Sequence, residues 1–351
     1  MNSSAQTAAQ RQELLARLFP DGVPTLWCPM ITHYRSDGAI DGGRMAAHLK
    51  HLSPYIKGFL IPGSTGDGWE LDAEEVRQLL EIALDQCEKL RLHLLIGMLR
   101  TDADEAKQTL LETVTWLKSR AGVHKEGGSP ARARVCGFTI CPPRGADLSQ
   151  GTIGERLASV FEAGLPTALY QLPQVTQNEM SPDLVAHLAD EFANFILFKD
   201  TSGADRVASS GLKLGRVVLV RGAEGDYARW LKAAGGPYDG FLLSTANCFG
   251  RELHQMTQDL LAGRVDAAKE LADRLTAAVN EVFGVVTGLP HGNPFANANK
   301  AIDHYFANGP KAIDVPPPRL HAGSRLPAEV IRSAGEALSR HRLMPVKGYL
   351  E

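Results

Sequence analysis

A lysine and a tyrosine at the ends of two neighbouring apolar runs are the residues best suited to covalent chemistry. Lys199 directly follows the apolar residues 195–198, and Tyr170 lies near the end of the preceding run, 167–171. An amine in an apolar site has a lowered pKa because desolvation disfavours its charged form, and a neutral amine attacks carbonyls to form imines. A phenol nearby can carry protons in such a reaction. Read alone, Lys199 fits a solvated strand end and Tyr170 fits ordinary packing equally well.

A turn with two hydroxyl groups is a third feature that could take part in the chemistry. The segment Gly63-Ser64-Thr65-Gly66-Asp67 follows another apolar run. Such a glycine-flanked turn presents backbone N–H groups that suit a carboxylate or a phosphate, although a motif this short also fits a plain turn. An amine, a proton carrier and a carboxylate-binding turn are together what Schiff-base chemistry on a 2-oxo acid requires.

Eight short apolar runs alternate with helical patterns and predict the fold that positions these groups. The alternation indicates a parallel sheet with helices on its faces. Eight units favour a closed (β/α)8 TIM barrel with additional C-terminal helices, and no G-x-G-x-x-G follows the first run, as the alternative doubly wound sheet would need. Reactive residues of such barrels gather where the strands end. The runs are 24–30, 58–61, 92–97, 137–141, 167–171, 195–199, 217–221 and 240–244.

The patterns outside the barrel predict the domain organisation. Residues 1–20 are expected to form a frayed tail and a short helix near 12–18. The barrel is expected over 21–250, with a surface insertion near 119–134 that is rich in Gly, Arg and Ser. Residues 251–351 have helical patterns alone, which predicts a helical extension packed on the barrel.

Composition and charge exclude several classes of partner. The formal net charge of −3 and the absence of a basic patch argue against nucleic acid. No apolar run approaches the roughly 18 residues of a membrane span, and the polar N-terminus does not resemble a secretory signal. Five widely spaced cysteines without a C-x-x-C motif predict reduced thiols in a cytoplasmic protein. These cysteines are Cys28, Cys87, Cys136, Cys141 and Cys248.

Two histidines are candidates for a metal site. His48 and His51 have a spacing that fits one helix, but no third ligand lies near them in the sequence. A protein site for zinc needs at least three ligands. Ordinary helix histidines are therefore the favoured interpretation, and no metal is predicted.

Taken together, the motifs resemble the dihydrodipicolinate synthase / N-acetylneuraminate lyase family. Gly63-Ser64-Thr65-Gly66-Asp67 matches its G-T-T-G-E, Tyr170-Gln171-Leu172-Pro173 its Y-N-x-P, and 198–203 its K-E/D-x-S/T-G block. Gly222 matches the glycine after strand seven, and Ser244-Thr245-Ala246-Asn247 resembles the end of strand eight. The matches keep the family's order and approximate spacing over about residues 23–306.

The resemblance implies a class I aldolase-type lyase, without metal or organic cofactor, that forms a dimer or tetramer. Lys199 would form the imine and Tyr170 would shuttle protons. Ser64 and Thr65 would bind the carboxylate of pyruvate or a related 2-oxo acid. The rest of the implied substrate-binding set is Gly63, Gly222 and Leu242.

Two departures from the family pattern concern the second substrate. The loop after the fourth run reads Cys141-Pro142-Pro143-Arg144-Gly145, without the tyrosine of the synthases. The segment Gln174-Val175-Thr176 lacks their arginine, whose bidentate contact a neutral residue cannot replace. Arg144 offers a cation from another direction.

Three hypotheses about function follow. The leading one is a Schiff-base lyase or aldolase acting on pyruvate or a related 2-oxo sugar acid. The second is a genuine dihydrodipicolinate synthase, which condenses pyruvate with aspartate semialdehyde. The third is a catalytically silent barrel that binds a 2-oxo acid.

Overall fold

In the computed structural model, eight parallel strands form one closed barrel in chain order. The structure describes residues 3–120 and 134–351. The predicted barrel with additional C-terminal helices is confirmed, and the strand bounds differ from the predicted runs by at most two residues at either end. The strands are β1 Leu26–Pro29, β2 Gly58–Ile61, β3 His93–Met98, β4 Val135–Ile140, β5 Thr167–Gln171, β6 Phe195–Asp200, β7 Val218–Arg221 and β8 Gly240–Leu242.

Helices follow every strand except β6, which leads to β7 through residues 201–217 without one, and they continue beyond β8. Side-chain caps define where several of them begin: Asp72 forms a capping box with Glu75, and Ser181 caps a helix that starts with Pro182. The helices are α1 Ser3–Leu18, α2 Gly42–Leu52, α3 Ala73–Leu90, α4 Ala103–Arg120, α5 Gln150–Phe161, α6 Pro173–Thr176, α7 Pro182–Glu191, α8 Tyr227–Trp230, α9 Ala246–Leu261, α10 Val265–Val286, α11 Pro294–Asn308 and α12 Ala328–Arg340.

The chain divides into two compact units. The first comprises residues 1–25, 93–223 and 237–242, and the second comprises 26–92, 224–236 and 243–351. The domain bounds at residues 20 and 250 remain a prediction, although α9 runs across residue 250. Most of the predicted insertion at 119–134 lies outside the described residues.

Strand pairing in the second unit shows how sequence sets the barrel wall. Trp27 of β1 is the register partner of Gly58 of β2. A Cβ atom on Gly58 would lie 2.3 Å from the Trp27 ring, so glycine is needed for the indole to fit. Leu243 donates a backbone hydrogen bond to Trp27 O at 3.3 Å just before α9 begins.

The N-terminal helix is longer than the sequence pattern indicated. A frayed tail with a helix from about residue 12 was expected, and this prediction was wrong because α1 begins at Ser3. Arg11 anchors α1 within the first unit. Its buried guanidinium donates to the carbonyl oxygens of Phe195 at 2.6 Å and Phe192 at 2.8 Å, and also to those of Ala189 and Gly215.

Two further observations concern location. Among the residues that the structure describes, no helix combines the length and apolar character required to cross a bilayer. All five cysteines are buried with free thiols, as the reduced state predicts. The compartment itself stays a prediction.

We expect Arg11→Leu to lower the free energy of unfolding by roughly 2–4 kcal/mol, because several buried carbonyl groups lose a charged donor. Urea titration followed by circular dichroism measures the change. Arg17→Leu, on the exposed part of the same helix, should change it by less than about 0.5 kcal/mol. Equal effects of the two substitutions would contradict the anchoring role of Arg11.

Candidate active site

The first unit brings Lys199 and Tyr170 into direct contact. They are register partners on the parallel strands β6 and β5, so their side chains leave the sheet on the same side. Lys199 Nζ lies 3.8 Å from the centroid of the Tyr170 ring. Each residue is only 3% exposed. The amine and the phenol predicted to react together therefore share one buried environment.

The Tyr170 hydroxyl is embedded in a short hydrogen-bond chain. It bonds the side chain of Thr201, whose Oγ1 donates to Gln171 O at 2.6 Å. Burial raises the pKa of Tyr170, Cys141 raises it further, and the hydrogen bond with Thr201 offsets part of the shift. The phenol is therefore neutral at physiological pH and holds a proton beside the amine.

Cys141 also belongs to this environment. Burial raises the pKa of its thiol to about 12, and the charge of Lys199 counteracts part of that shift. A thiol with this pKa is protonated at neutral pH and is a weak nucleophile. Cys141 therefore adds a compact apolar wall to the site.

Gly222 makes room for the lysine side chain. A Cβ atom at this position would lie 2.9 Å from Lys199 Cε and 2.3 Å from Thr201 Cγ2. The glycine also donates a backbone hydrogen bond to Asp200 O at 2.6 Å. Leu242, another predicted substrate-binding residue, is buried at the end of β8. The first unit thus holds Lys199, Tyr170, Gly222 and Leu242 of the predicted set.

A buried ion pair fixes the segment that follows Lys199. Arg221 contacts both carboxylate oxygens of Asp205, at 2.9 and 3.1 Å, and Tyr238 donates to the same carboxylate at 2.7 Å. Asp200 accepts a hydrogen bond from Ser202 N at 2.9 Å. These contacts hold the end of β6 and the Lys-Asp-Thr-Ser-Gly segment in place, which explains why polar residues follow Lys199.

The second unit contains Gly63, Ser64 and Thr65. Ser64–Gly66 forms one turn of 3-10 helix directly after β2. Ser64 Oγ accepts a hydrogen bond from Trp69 Nε1 at 3.1 Å, and its carbonyl accepts one from Asn293 Nδ2 at 3.0 Å. Thr65 is buried. The hydroxyl turn is therefore held by side chains from outside the motif.

A buried ion pair between Lys300 and Asp67 stabilises this turn. Lys300 of α11 lies 2.6 Å from Asp67, and Tyr34 donates to the same carboxylate at 3.0 Å. Thr32 Oγ1 donates to Gly66 O at 2.6 Å. Asp67 adopts a φ of 59°, an uncommon value that these contacts stabilise.

Glu224 is a polar residue of the second unit that was not predicted from the sequence. Its carboxylate accepts hydrogen bonds from Ser244 Oγ at 2.6 Å, Thr245 Oγ1 at 2.7 Å and Tyr227 OH at 2.9 Å. Glu224 therefore fixes the start of α9 within the second unit. The sequence does contain an indication of this role. Glu224 lies three positions after the end of β7, in the loop where barrel enzymes place polar groups.

The two departures from the family pattern differ in structure. The Arg144 side chain is exposed, and its backbone N–H bonds Thr101 O at 2.9 Å. Residues 174–176 belong to the short helix α6, where Gln174 Nε2 donates to Thr201 O at 3.2 Å. The glutamine thus contacts the backbone of the residue that bonds Tyr170.

His48 has neighbours that the sequence did not reveal. His33 and Asp303, which are distant from it in the sequence, fold against it and could offer further ligand atoms. His33 Nε2 lies 3.0 Å from His48 Nδ1, and His48 Nε2 lies 2.7 Å from Asn247 O. Burial lowers the pKa of both histidines, so they are neutral.

The carboxylate of Asp303 is paired with other groups. It accepts from Arg44 Nη2 at 2.7 Å and from Tyr349 OH at 3.0 Å, and Arg44 Nε also contacts Tyr349 OH at 3.1 Å. These bonds occupy the atoms that would coordinate an ion. The cluster therefore fits a buried polar network between α2, α11 and Tyr349 better than a metal centre.

The fold and these contacts define a (β/α)8 barrel that encloses an amine beside a phenol. The dihydrodipicolinate synthetase family model matches residues 146–290. A 4-hydroxy-tetrahydrodipicolinate synthase of Agrobacterium fabrum is 25% identical over 268 residues, which are 76% of this chain and 83% of that protein. One from Stenotrophomonas maltophilia is 27% identical over 73% of this chain and 80% of its own.

Solved structures show the same fold. A dihydrodipicolinate synthase superposes with a TM-score of 0.70 at 18% identity, covering 92% of this chain and all of the other. A 2-keto-3-deoxygluconate aldolase variant of Sulfolobus solfataricus gives 0.65 at 18% identity, with coverage of 91% and 96%. The resemblance to the dihydrodipicolinate synthetase family that the sequence motifs indicated is supported by the match over residues 146–290 and by these relatives.

We expect Gly222→Ala to slow reductive trapping of pyruvate on Lys199 by about 10²-fold, because the new methyl group displaces the amine by a large fraction of an ångström. Borohydride trapping read by peptide mass spectrometry measures the rate. Gly284→Ala is the control, since its Cβ atom would have no neighbour within 4 Å. An unchanged trapping rate in a folded Gly222→Ala protein would show that the Lys199 side chain does not need the space that glycine leaves.

Proposed function

We propose that the protein is a Schiff-base-forming lyase that holds pyruvate, or a related 2-oxo acid, on Lys199. The observation that supports this most strongly is the buried contact between Lys199 Nζ and the Tyr170 ring at 3.8 Å. A buried amine with a protonated hydroxyl beside it is the pair that imine formation needs. A protein that only binds a 2-oxo acid has no need of a reactive amine.

The chemistry follows from the positions of the two groups. The neutral amine of Lys199 attacks the ketone carbon, and the carbonyl oxygen leaves as water after it takes up protons. The imine that remains withdraws electrons from the neighbouring carbon, where a bond is then made or broken. Tyr170 donates and recovers the protons, with Thr201 positioning its hydroxyl. Hydrolysis of the imine returns the free lysine.

We assign recognition of the substrate carboxylate to Ser64 and Thr65, with Gly63 supporting the turn. The hydroxyl groups and backbone of Ser64–Gly66 suit an anion. The contacts of Thr32 and Lys300 hold this turn in one conformation. A fixed turn reduces the entropy cost of orienting the acid.

We propose a second substrate other than aspartate semialdehyde. The loop after β4 holds Cys141 and Arg144 in place of a phenol, and α6 holds Gln174 in place of a cation. A 2-oxo sugar acid, whose hydroxyl groups need neutral hydrogen-bonding partners, suits these residues better. Arg144 is exposed and offers hydrogen-bond donors to a hydroxyl group of such a substrate.

The names of the curated relatives favour the alternative, a 4-hydroxy-tetrahydrodipicolinate synthase. Turnover of pyruvate with aspartate semialdehyde, in an assay coupled to reduction of the product, separates the two functions. Rapid turnover would establish the alternative. Cleavage of 2-keto-3-deoxy sugar acids to pyruvate, without turnover of the semialdehyde, would establish the leading proposal.

We further propose that the protein is a cytoplasmic homo-oligomer, a dimer or a tetramer. The family resemblance suggests the assembly, and the buried free thiols suit a reducing compartment. Apolar side chains such as Leu261 and Val265 are exposed in the isolated chain, which is consistent with a partner subunit. Light scattering after size exclusion measures the mass directly.

We expect borohydride with pyruvate to label the peptide that contains Lys199. Lys199→Ala should abolish the label, whereas Lys213→Ala, an exposed lysine, should keep it. A label that persists in Lys199→Ala would assign the imine to another amine. Ligand binding that survives Lys199→Ala, without any reaction in the native protein, would instead favour a silent binding barrel.

We expect Tyr170→Phe to lower turnover by about 10²–10⁴, the usual contribution of a positioned acid–base group, while the protein remains folded. Steady-state kinetics on the cleaved sugar acid measure this loss. Tyr55 is a half-buried tyrosine in the segment after α2. Its substitution Tyr55→Phe should leave turnover unchanged. A near-native rate for Tyr170→Phe would remove the phenol from the proton path.

A further inference from the structure

A cleft in the second unit has no part in the proposed reaction. It has a volume of about 510 Å³ and is bordered by α2, α9, α10, α11 and the segment after α12. This volume is in the range of pockets that hold small organic ligands. None of the residues assigned to imine formation or carboxylate recognition lines it.

Positive charge is concentrated around the cleft. Four cationic side chains and one carboxyl group line it, in a chain whose formal net charge is −3. Arg274 is fixed, since it donates to His341 O at 3.2 Å and Arg342 O at 2.8 Å. The other cations are Arg251, Arg342 and Lys347, which are exposed.

These exposed cations are available to a ligand. Within residues 3–120 and 134–351, the side chains of Arg251, Arg342 and Lys347 form no hydrogen bond or ion pair of their own. Arginines around a cleft suit carboxylate or phosphate groups, because a guanidinium can donate two parallel hydrogen bonds, as those of Arg251 and Arg342 are able to do.

Glu252 gives the cleft a second kind of hydrogen-bonding group. Its Oε2 is buried and lacks a hydrogen-bond partner among the described residues. Burial raises the pKa of Glu252, and the charges of Arg251 and Arg274 offset part of the rise. A buried polar atom without a partner costs free energy, and a ligand that bonds it recovers that cost.

Apolar side chains also line the cleft. Phe306 and Leu343 are buried, and Leu271, Met344 and Tyr55 are half-buried along the same lining. A bare inorganic ion would leave these side chains without a partner. A ligand with both anionic groups and a carbon skeleton matches the charged and the apolar residues of this lining.

We propose that this cleft binds a small organic molecule with two or more anionic groups, either carboxylates or a phosphate. Its anionic groups contact Arg251, Arg274 and Arg342, and its carbon skeleton packs on Phe306 and Leu343. The site shares no residue with the chemistry assigned to Lys199, so it does not depend on the proposed function.

Isothermal titration calorimetry in about 0.15 M salt, which screens weak surface binding, tests the proposal. The probes are citrate, phenyl phosphate and inorganic phosphate. We expect citrate or phenyl phosphate to bind with a Kd below about 1 mM and at least tenfold more tightly than inorganic phosphate. If citrate binds more tightly than phenyl phosphate, the site is assigned to carboxylates. If phenyl phosphate binds more tightly, it is assigned to phosphates. Absence of saturable binding by both up to about 10 mM would overturn the proposal.

Matched variants locate the binding. Arg251→Gln and Arg342→Gln should each weaken it about tenfold or more, and Lys269→Gln, an exposed cation on α10 outside the lining, should not. Glu252→Gln should leave binding unchanged or strengthen it. Loss of binding in Glu252→Gln with retention in both arginine variants would overturn the anionic assignment. Lys199→Ala should bind the probe normally, so failure of the proposed catalysis leaves this test intact.

Discussion

The packing of the Lys199 amine against the Tyr170 ring is the constraint on which the rest of the first unit depends. A buried amine that has to react needs a surface to pack on and space around it, and its surroundings provide an aromatic face and a gap. Strand register supplies the face, because Tyr170 and Lys199 are lateral partners. The missing side chain of Gly222 supplies the space. The ion pair of Arg221 with Asp205 then holds the strand end that carries the amine.

Sequence reasoning reached the barrel because alternation of strand and helix patterns is a local property. It also reached Lys199 and Tyr170, since an interruption of an apolar run by a polar residue is visible in one segment. The assignment of roles to Ser64, Thr65 and Leu242 came from the family resemblance and remains a proposal. The length of α1 was missed because the side chain that anchors it, Arg11, meets carbonyl groups about 180–200 residues away.

The same limit explains what was missed in the second unit. The helical pattern of α2 drew attention to His48, but the partners of His48, which are His33 and Asp303, are distant in sequence. Glu224 followed a recognisable strand end, yet its bonds to Ser244 and Thr245 appear only when β7 and α9 are placed. Polar residues whose partners are far apart in the chain carry no periodicity, so their contacts become evident only in the folded structure. The charged cleft is of this kind, since five separate segments contribute to it.

The bond between Arg44 and Tyr349 spans 305 residues, and this separation has a consequence for biosynthesis. Translation at about 5–20 residues per second leaves roughly 15–60 seconds between the appearance of these two residues. During that interval Arg44, His33 and His48 have neither Asp303 nor Tyr349 to pair with for most of the time. The polar network of residues 26–92 therefore remains incomplete until Asp303 and Tyr349 have been synthesised.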